Sequence, residues 1–79
     1  MTTMMDKIRA CFQNALVLSS EETAQVGLDT DVWNLPKWDS LGHLRLILEL
    51  EKEFGIKIPD ERTAEMISVE EIQKACSGS

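Results

Sequence analysis

Apolar positions in this chain recur three and four residues apart, the period of a helix and not of a strand. Ile8, Cys11, Phe12, Ala15 and Leu16 form the first stripe. Thr3 stands ahead of it as an N-cap with Asp6 as a weakened capping box, which predicts a helix over about residues 3–17. The longest periodic segment runs from Ser40 to Phe54, with Asp39 as a good N-cap and Gly55 as the residue that ends it. At about 100° per residue from Leu41, residues Leu46, Leu50, Phe54 and Ile47 fall between about 140° and 240°, which predicts the core face. Leu44 falls on the flank. His43 points toward the same arc, between Leu50 and Phe54, as a partly buried residue bonded to the preceding loop. Leu41 and Leu48 lie on the opposite side among charged neighbours, and with Arg45, Glu49 and Lys52 they form a candidate docking ridge.

Residues 18–39 lack sustained periodicity and carry Gly27 and Pro36, so they read as a long loop. Ser19 and Glu22 have the spacing to start a short helical turn that Gly27 ends. Val26, Leu28, Val32, Trp33 and Leu35 predict a packed loop, one that delivers Asp39 and Ser40 to one end of a bundle. Ile56 and Ile58 alternate with Lys57, but no partner strand exists elsewhere, and a loop is the better reading. Pro59 as a first helical residue, followed by Asp60 and Glu61, predicts a short helix over about residues 59–66. Ser68 and Glu71 form a capping box for a last helix over about residues 69–76, and Ser77-Gly78-Ser79 is expected to fray. The expectation is an all-α bundle of three main helices and one short one, with residues 1–79 as a single domain.

Composition narrows what such a bundle can do. A chain of 79 residues buries only somewhat over about 60% of its unfolded surface, which leaves little room for a walled catalytic cavity. No apolar run approaches the roughly 20 residues that span a bilayer, and the N-terminus has no signal-like stretch, so no membrane insertion and a cytoplasmic setting are expected. The net charge of −6 argues against nucleic acid, whose phosphates need a basic surface. Residues 21–40 hold five of the carboxylates against the single cation Lys37, so partners with basic patches are the natural expectation. Two cysteines and one histidine cannot assemble a zinc site. A Cys11–Cys76 disulfide is geometrically open, but a reducing compartment favours two small apolar residues on helix faces.

The chemistry concentrates at Asp39-Ser40. With Asp39 as the cap, Ser40 is the first helical residue, where a phosphate on its hydroxyl meets free N–H groups and the positive end of the helix dipole. A serine hydrolase is the first rival, since Asp39, Ser40 and His43 are neighbours. The nucleophile-elbow pattern fails because Trp38 stands where a glycine is needed, and a hydrolase would also need an oxyanion hole and a substrate cleft. Calcium is the second rival, from Asp29 and Asp31. It fails at Trp33, Asn34 and Ser40, which replace the ligand, glycine and glutamate of an EF-hand loop.

Asp39-Ser40-Leu41 behind an acidic loop, a helix ending Glu51-Lys52-Glu53-Phe54-Gly55, and Ile58-Pro59-Asp60-Glu61 beyond it together resemble an acyl carrier protein. The resemblance extends from the first helix through Ile72. It implies an acyl-carrier-type bundle and a non-catalytic carrier holding 4′-phosphopantetheine on Ser40. It further implies Asp39 as the acid that helps a transferase and its metal, and Leu41 as the apolar contact beside the arm. Implied partners are a phosphopantetheinyl transferase, an acyl- or aminoacyl-loading ligase or adenylating enzyme, and a downstream synthase or transferase; the carrier is expected to work as a monomer. Arg45 and Lys52 stand where many fatty-acid carriers have acids. Trp38 and Gly42-His43-Leu44 look more like carriers of polyketide, peptide or aminoacyl pathways. Primary fatty-acid synthesis remains the alternative, and a helical docking module with an unmodified Ser40 is the rival outside the family.

Overall fold

Thr3 and Asp6 exchange both capping bonds, the Asp6 N–H to Thr3 Oγ1 at 3.1 Å and the Thr3 N–H to Asp6 Oδ2 at 3.2 Å. They open α1 (Met4–Leu16), whose buried face is Ile8, Cys11, Phe12, Ala15 and Leu16. These features belong to a computed structural model that describes residues 3–77. Of the end expected to fray, Gly78 and Ser79 lie outside the described residues. Four further helices follow: α2 (Ser20–Ala24), α3 (Ser40–Phe54), α4 (Asp60–Thr63) and α5 (Val69–Cys76). Helix α1 packs on α3 most extensively, and also on α2 and α5.

Within the long loop of residues 18–39, the short helical turn expected from Ser19 and Glu22 is present as α2, which ends before Gly27. Ser19 and Glu22 build it through a reciprocal capping box, at 3.1 Å and 2.9 Å. The Ser19 N–H and the Lys37 ammonium both bond the Glu22 carboxylate and hold its pKa below the ordinary range. Helix α2 buries no residue, so its capping spacing, and not hydrophobic periodicity, is what marks it in the sequence. Among the described residues the bundle thus has three main helices and two short ones.

The other short helix is also shorter than expected. It spans Asp60–Thr63 and not residues 59–66, and Pro59 is its extended N-cap (φ −64°, ψ 151°) instead of its first helical residue. Turns from Arg62 to Met66 replace the last turn of helix and carry Met66 into the core. Helix α5 opens with the Ser68 hydroxyl accepting the Glu71 N–H at 3.3 Å, which is half of the capping box expected there, since the Glu71 side chain does not return a bond to the Ser68 N–H. Helix α3 ends at Gly55, whose φ of 64° is the left-handed conformation that glycine adopts without cost. At the end of α1 the same role falls to Val17 (φ 54°), where a branched side chain makes that conformation strained.

The core face of α3 is Gly42, Leu46, Ile47 and Leu50. Phe54, expected in that set, is only half-buried: it packs on the core margin with the Lys7 ammonium 5.9 Å from its ring centroid. The buried face therefore begins one turn earlier than expected, at Gly42, and ends before Phe54. In the long loop Val26 is buried and Val32 and Leu35 pack on the core, whereas Leu28 and Trp33 point to solvent. Arg9 fastens this loop to α1 through a 2.8 Å bond from its Nε to the Val26 carbonyl. An isolated antiparallel pairing of Asp31 with Ser68 joins the loop to the entry of α5.

Candidate functional site

Asp39 and Ser40 sit where the long loop enters α3, and local bonding fixes that junction. Asp39 is extended, and its Oδ1 accepts the Gly42 N–H at 2.8 Å. The Asp39 carbonyl accepts the His43 N–H at 2.7 Å. The cap leaves the N–H groups of Ser40 and Leu41 at the head of a 15-residue helix without intrahelical partners. Ser40 itself is exposed.

Behind the junction lies a buried aromatic hub. Trp38 is 3% exposed, and its ring meets Phe12 of α1 edge to face at 4.9 Å and 88°. Its indole Nε1–H donates to His43 Nδ1 at 2.9 Å, and His43 Nε2 lies 2.7 Å from the Thr63 carbonyl at the end of α4. An indole N–H only donates and a carbonyl only accepts. His43 therefore stands as the neutral tautomer with its proton on Nε2. It does bond the preceding loop, as expected, and it also pins α4.

Both His43 nitrogens are thereby occupied, and neither is free to take a proton from the Ser40 hydroxyl. One oxygen of Asp39 is likewise spent on the helix cap. A serine nucleophile needs a base that it can reach. This arrangement does not provide one.

Calcium finds a different geometry from an EF-hand. The Asp31 carboxylate accepts the N–H groups of Trp33 and Asn34 at 2.9 Å and 3.0 Å, and the Asn34 side chain bonds the Asp31 N–H and the Asp29 carbonyl, each at 3.0 Å. These side chains build the turn that precedes Ser40. Cys11 and Cys76 are free thiols, both buried. Burial pushes Cys11 up to about 12, with Glu53 and Glu49 adding to the shift, and Cys76 up to about 11, from an ordinary 9.0.

Gly42 reaches further into the packing than any reading of the sequence anticipated. A methyl group there would lie 2.5 Å from Leu16 Cδ2, 3.0 Å from the Lys37 carbonyl oxygen and 3.1 Å from Asp39 Oδ1. Its missing side chain lets α3 approach α1 directly beneath Ser40. The available signal was a glycine in the first turn of a strong helix, a costly choice without a packing reason.

Two grooves meet at Ser40, and both are lined by Ser40, His43 and Thr63. One, of about 370 Å³, has Leu44, Ile47 and Leu48 as its apolar wall, with Glu51, Lys57 and Asp60 beside them. The other, of about 400 Å³, has Val32, Trp33, Ala64 and Ile67, with Asp39 at its rim. On the outer face of α3, Leu41 and Leu48 are 58% and 59% exposed, and Leu44 is equally bare. Arg45 and Lys52 are exposed beside them, Glu49 is half-buried, and neither cation forms an ion pair among the described residues.

No protein-family model matches the chain. Over 53 residues it is 38% identical to the acyl carrier protein of Helicobacter acinonychis, a stretch covering 67% of this chain and 68% of that protein. The chain belongs to the acyl carrier protein family. Over 69 residues it is also 29% identical to the acyl carrier protein of Thermosynechococcus vestitus, covering 87% of this chain and 82% of that one. The protein is accordingly a carrier and not a catalyst. Among the described residues no helix of this carrier is long and apolar enough to cross a membrane.

Proposed function

We propose that this carrier holds acyl intermediates as thioesters on a 4′-phosphopantetheine arm attached to Ser40. The observation that supports it best is an exposed serine at the head of α3, directly behind an Asp39 cap, in a chain of this family. The surroundings of Ser40 fit the group. The two unpartnered N–H groups favour a phosphodiester oxygen, and two open grooves give an arm room to lie. When bound, the group supplies a terminal thiol that forms thioesters. The chain's own residues bind and present it: Asp39 assists the transferase and its metal, and Leu41 makes the apolar contact beside the arm. Leu41, Arg45, Leu48, Glu49 and Lys52 meet partner enzymes.

The pathway we infer is a specialised one, polyketide-like or aminoacyl and peptide, with primary fatty-acid synthesis as the alternative. Arg45 and Lys52 carry that inference, because two unpaired cations interrupt the acidic surface on the helix that partners read. A wholly basic docking patch meets like charge there. The partners are then a phosphopantetheinyl transferase, an acyl- or aminoacyl-loading ligase or adenylating enzyme, and a downstream synthase or transferase, acting on a monomeric carrier in the cytoplasm. Incubation with coenzyme A and a promiscuous transferase, followed by intact mass and peptide mapping, tests the attachment. A mass gain mapped to Ser40 and absent from Ser40→Ala supports it. Modification at another serine, or no gain in the native chain, refutes it.

A further inference from the structure

Trp33 is 76% exposed, the barest large hydrophobic residue among those described. Its backbone is nonetheless firmly placed. Its own N–H and that of Asn34 are held by Asp31, and the Val32 N–H bonds the Ile67 carbonyl at 3.0 Å, bracing the turn against the entry of α5. A large indole standing in water on a braced turn, at the rim of a groove that begins at Ser40, is a surface that can take an occupant.

We propose that the groove walled by Trp33 and Ile67 is the resting site of the pantetheine portion of an arm on Ser40, in preference to the leucine-walled groove on the other side of His43. The inference rests on the attachment proposed above. Beyond its phosphate such an arm is uncharged: two amides, a dimethyl carbinol and a thiol. The leucine-walled groove is lined by three ionisable side chains, Glu51, Lys57 and Asp60, which an uncharged ligand desolvates without return. Beyond His43, which lines both grooves, the Trp33 groove has Asp39 as its one ionisable side chain, and one of its oxygens already accepts the Gly42 N–H. An indole face accepts a flat amide, and the branched dimethyl carbon suits the aliphatic surfaces of Val32 and Ile67. The tether supplies the remaining affinity. At an effective concentration of about millimolar, an intrinsic dissociation constant of about millimolar gives an occupancy of about one half.

The carrier's two tryptophans report on this directly, since Trp38 is buried and Trp33 is open to a quencher. In the unloaded chain acrylamide quenches the Trp33 fluorescence. After loading with coenzyme A and a transferase, that accessible component is quenched about twofold less, as an occupancy of about one half requires. Nuclear Overhauser contacts connect the dimethyl protons of the arm to the Trp33 indole protons and to the Ile67 methyls, and those to Ile67 weaken in the loaded Trp33→Ala chain. Intact mass of the same sample separates the two readings. A mass gain on Ser40 with unchanged quenching, or with contacts to the Leu44 and Leu48 methyls instead, overturns the resting site alone. No mass gain on Ser40 overturns the attachment and the resting site together.

Discussion

Replacing Gly42 by alanine sets two effects of known sign against each other. In an open helix the change gains about 1 kcal/mol, because glycine is the poorer helix former. Here the new methyl would stand 2.5 Å from Leu16 Cδ2 and 3.0 Å from the Lys37 carbonyl oxygen. Leu16 is the more flexible neighbour, but it is itself buried and can retreat only into other core side chains. The carbonyl is backbone, one residue before the buried Trp38, and cannot move without shifting the aromatic hub. Overpacking of this kind costs about 1–3 kcal/mol. The third close atom, Asp39 Oδ1 at 3.1 Å, is the helix cap, and disturbing a cap costs about 1 kcal/mol. The net expectation for Gly42→Ala is a loss of about 1–3 kcal/mol, which lowers the melting temperature by about 4–8 °C for each kcal/mol in a domain of this size. Urea unfolding followed by circular dichroism measures it. Gly27→Ala is the control: its nearest neighbour is Asp29 Oδ1 at 3.4 Å, and it should change stability by no more than about 0.5 kcal/mol. A Gly42→Ala chain as stable as the wild type would refute the close approach of α1 and α3 beneath Ser40.

Leu50→Ala removes a fully buried side chain and should cost about 2–5 kcal/mol in the same unfolding assay, while Leu48→Ala, on the exposed ridge, should stay within about 0.5 kcal/mol. Val17→Gly relieves a left-handed valine at the end of α1 and should raise stability by about 1 kcal/mol in urea titration. The buried thiols hold their protons more tightly folded than unfolded, so between pH 9.0 and about 12 the unfolded chain has lost protons that the folded chain keeps. Stability should be insensitive to these thiols below about pH 9 and fall as pH rises through that window, which melting curves at stepped alkaline pH would show. Replacing Arg45 and Lys52 together by Glu should speed association with fatty-acid enzymes of basic docking surface and slow it with the native loading enzyme; stopped-flow rates should converge as salt is added.

Much of the bundle was legible because its main helices carry local signals that tertiary packing does not override. Thr3, Asp39 and Ser68 each cap the helix expected of them, and Gly55 ends α3 in the conformation that its identity suggests. What escaped was governed by contacts between segments. Phe54 has the right angular position for the core, yet it lies in the last turn of α3 at the margin of the packed region. Trp33 has the composition of a packed loop residue, but the Asx-type turn at Asp31 directs it outward. His43 was placed correctly as partly buried and loop-bonded; its second bond, to Thr63, spans 20 residues of sequence and leaves no periodic trace. At the site, the Asp39 cap and the exposure of Ser40 follow from adjacent residues. The two grooves depend on where α4 and the Trp33 turn come to rest, and no spacing encodes that.

The claim that Ser40 carries a working thiol arm meets its most direct test in a count of reactive thiols on the native chain. Cys11 and Cys76 are buried and protonated at neutral pH, so neither should react with a thiol reagent before denaturation. No fast-reacting thiol is expected on the unloaded carrier, one per chain after loading with coenzyme A and a transferase, and none after the same treatment of Ser40→Ala. A count that does not rise on loading, or that rises equally in Ser40→Ala, would contradict it.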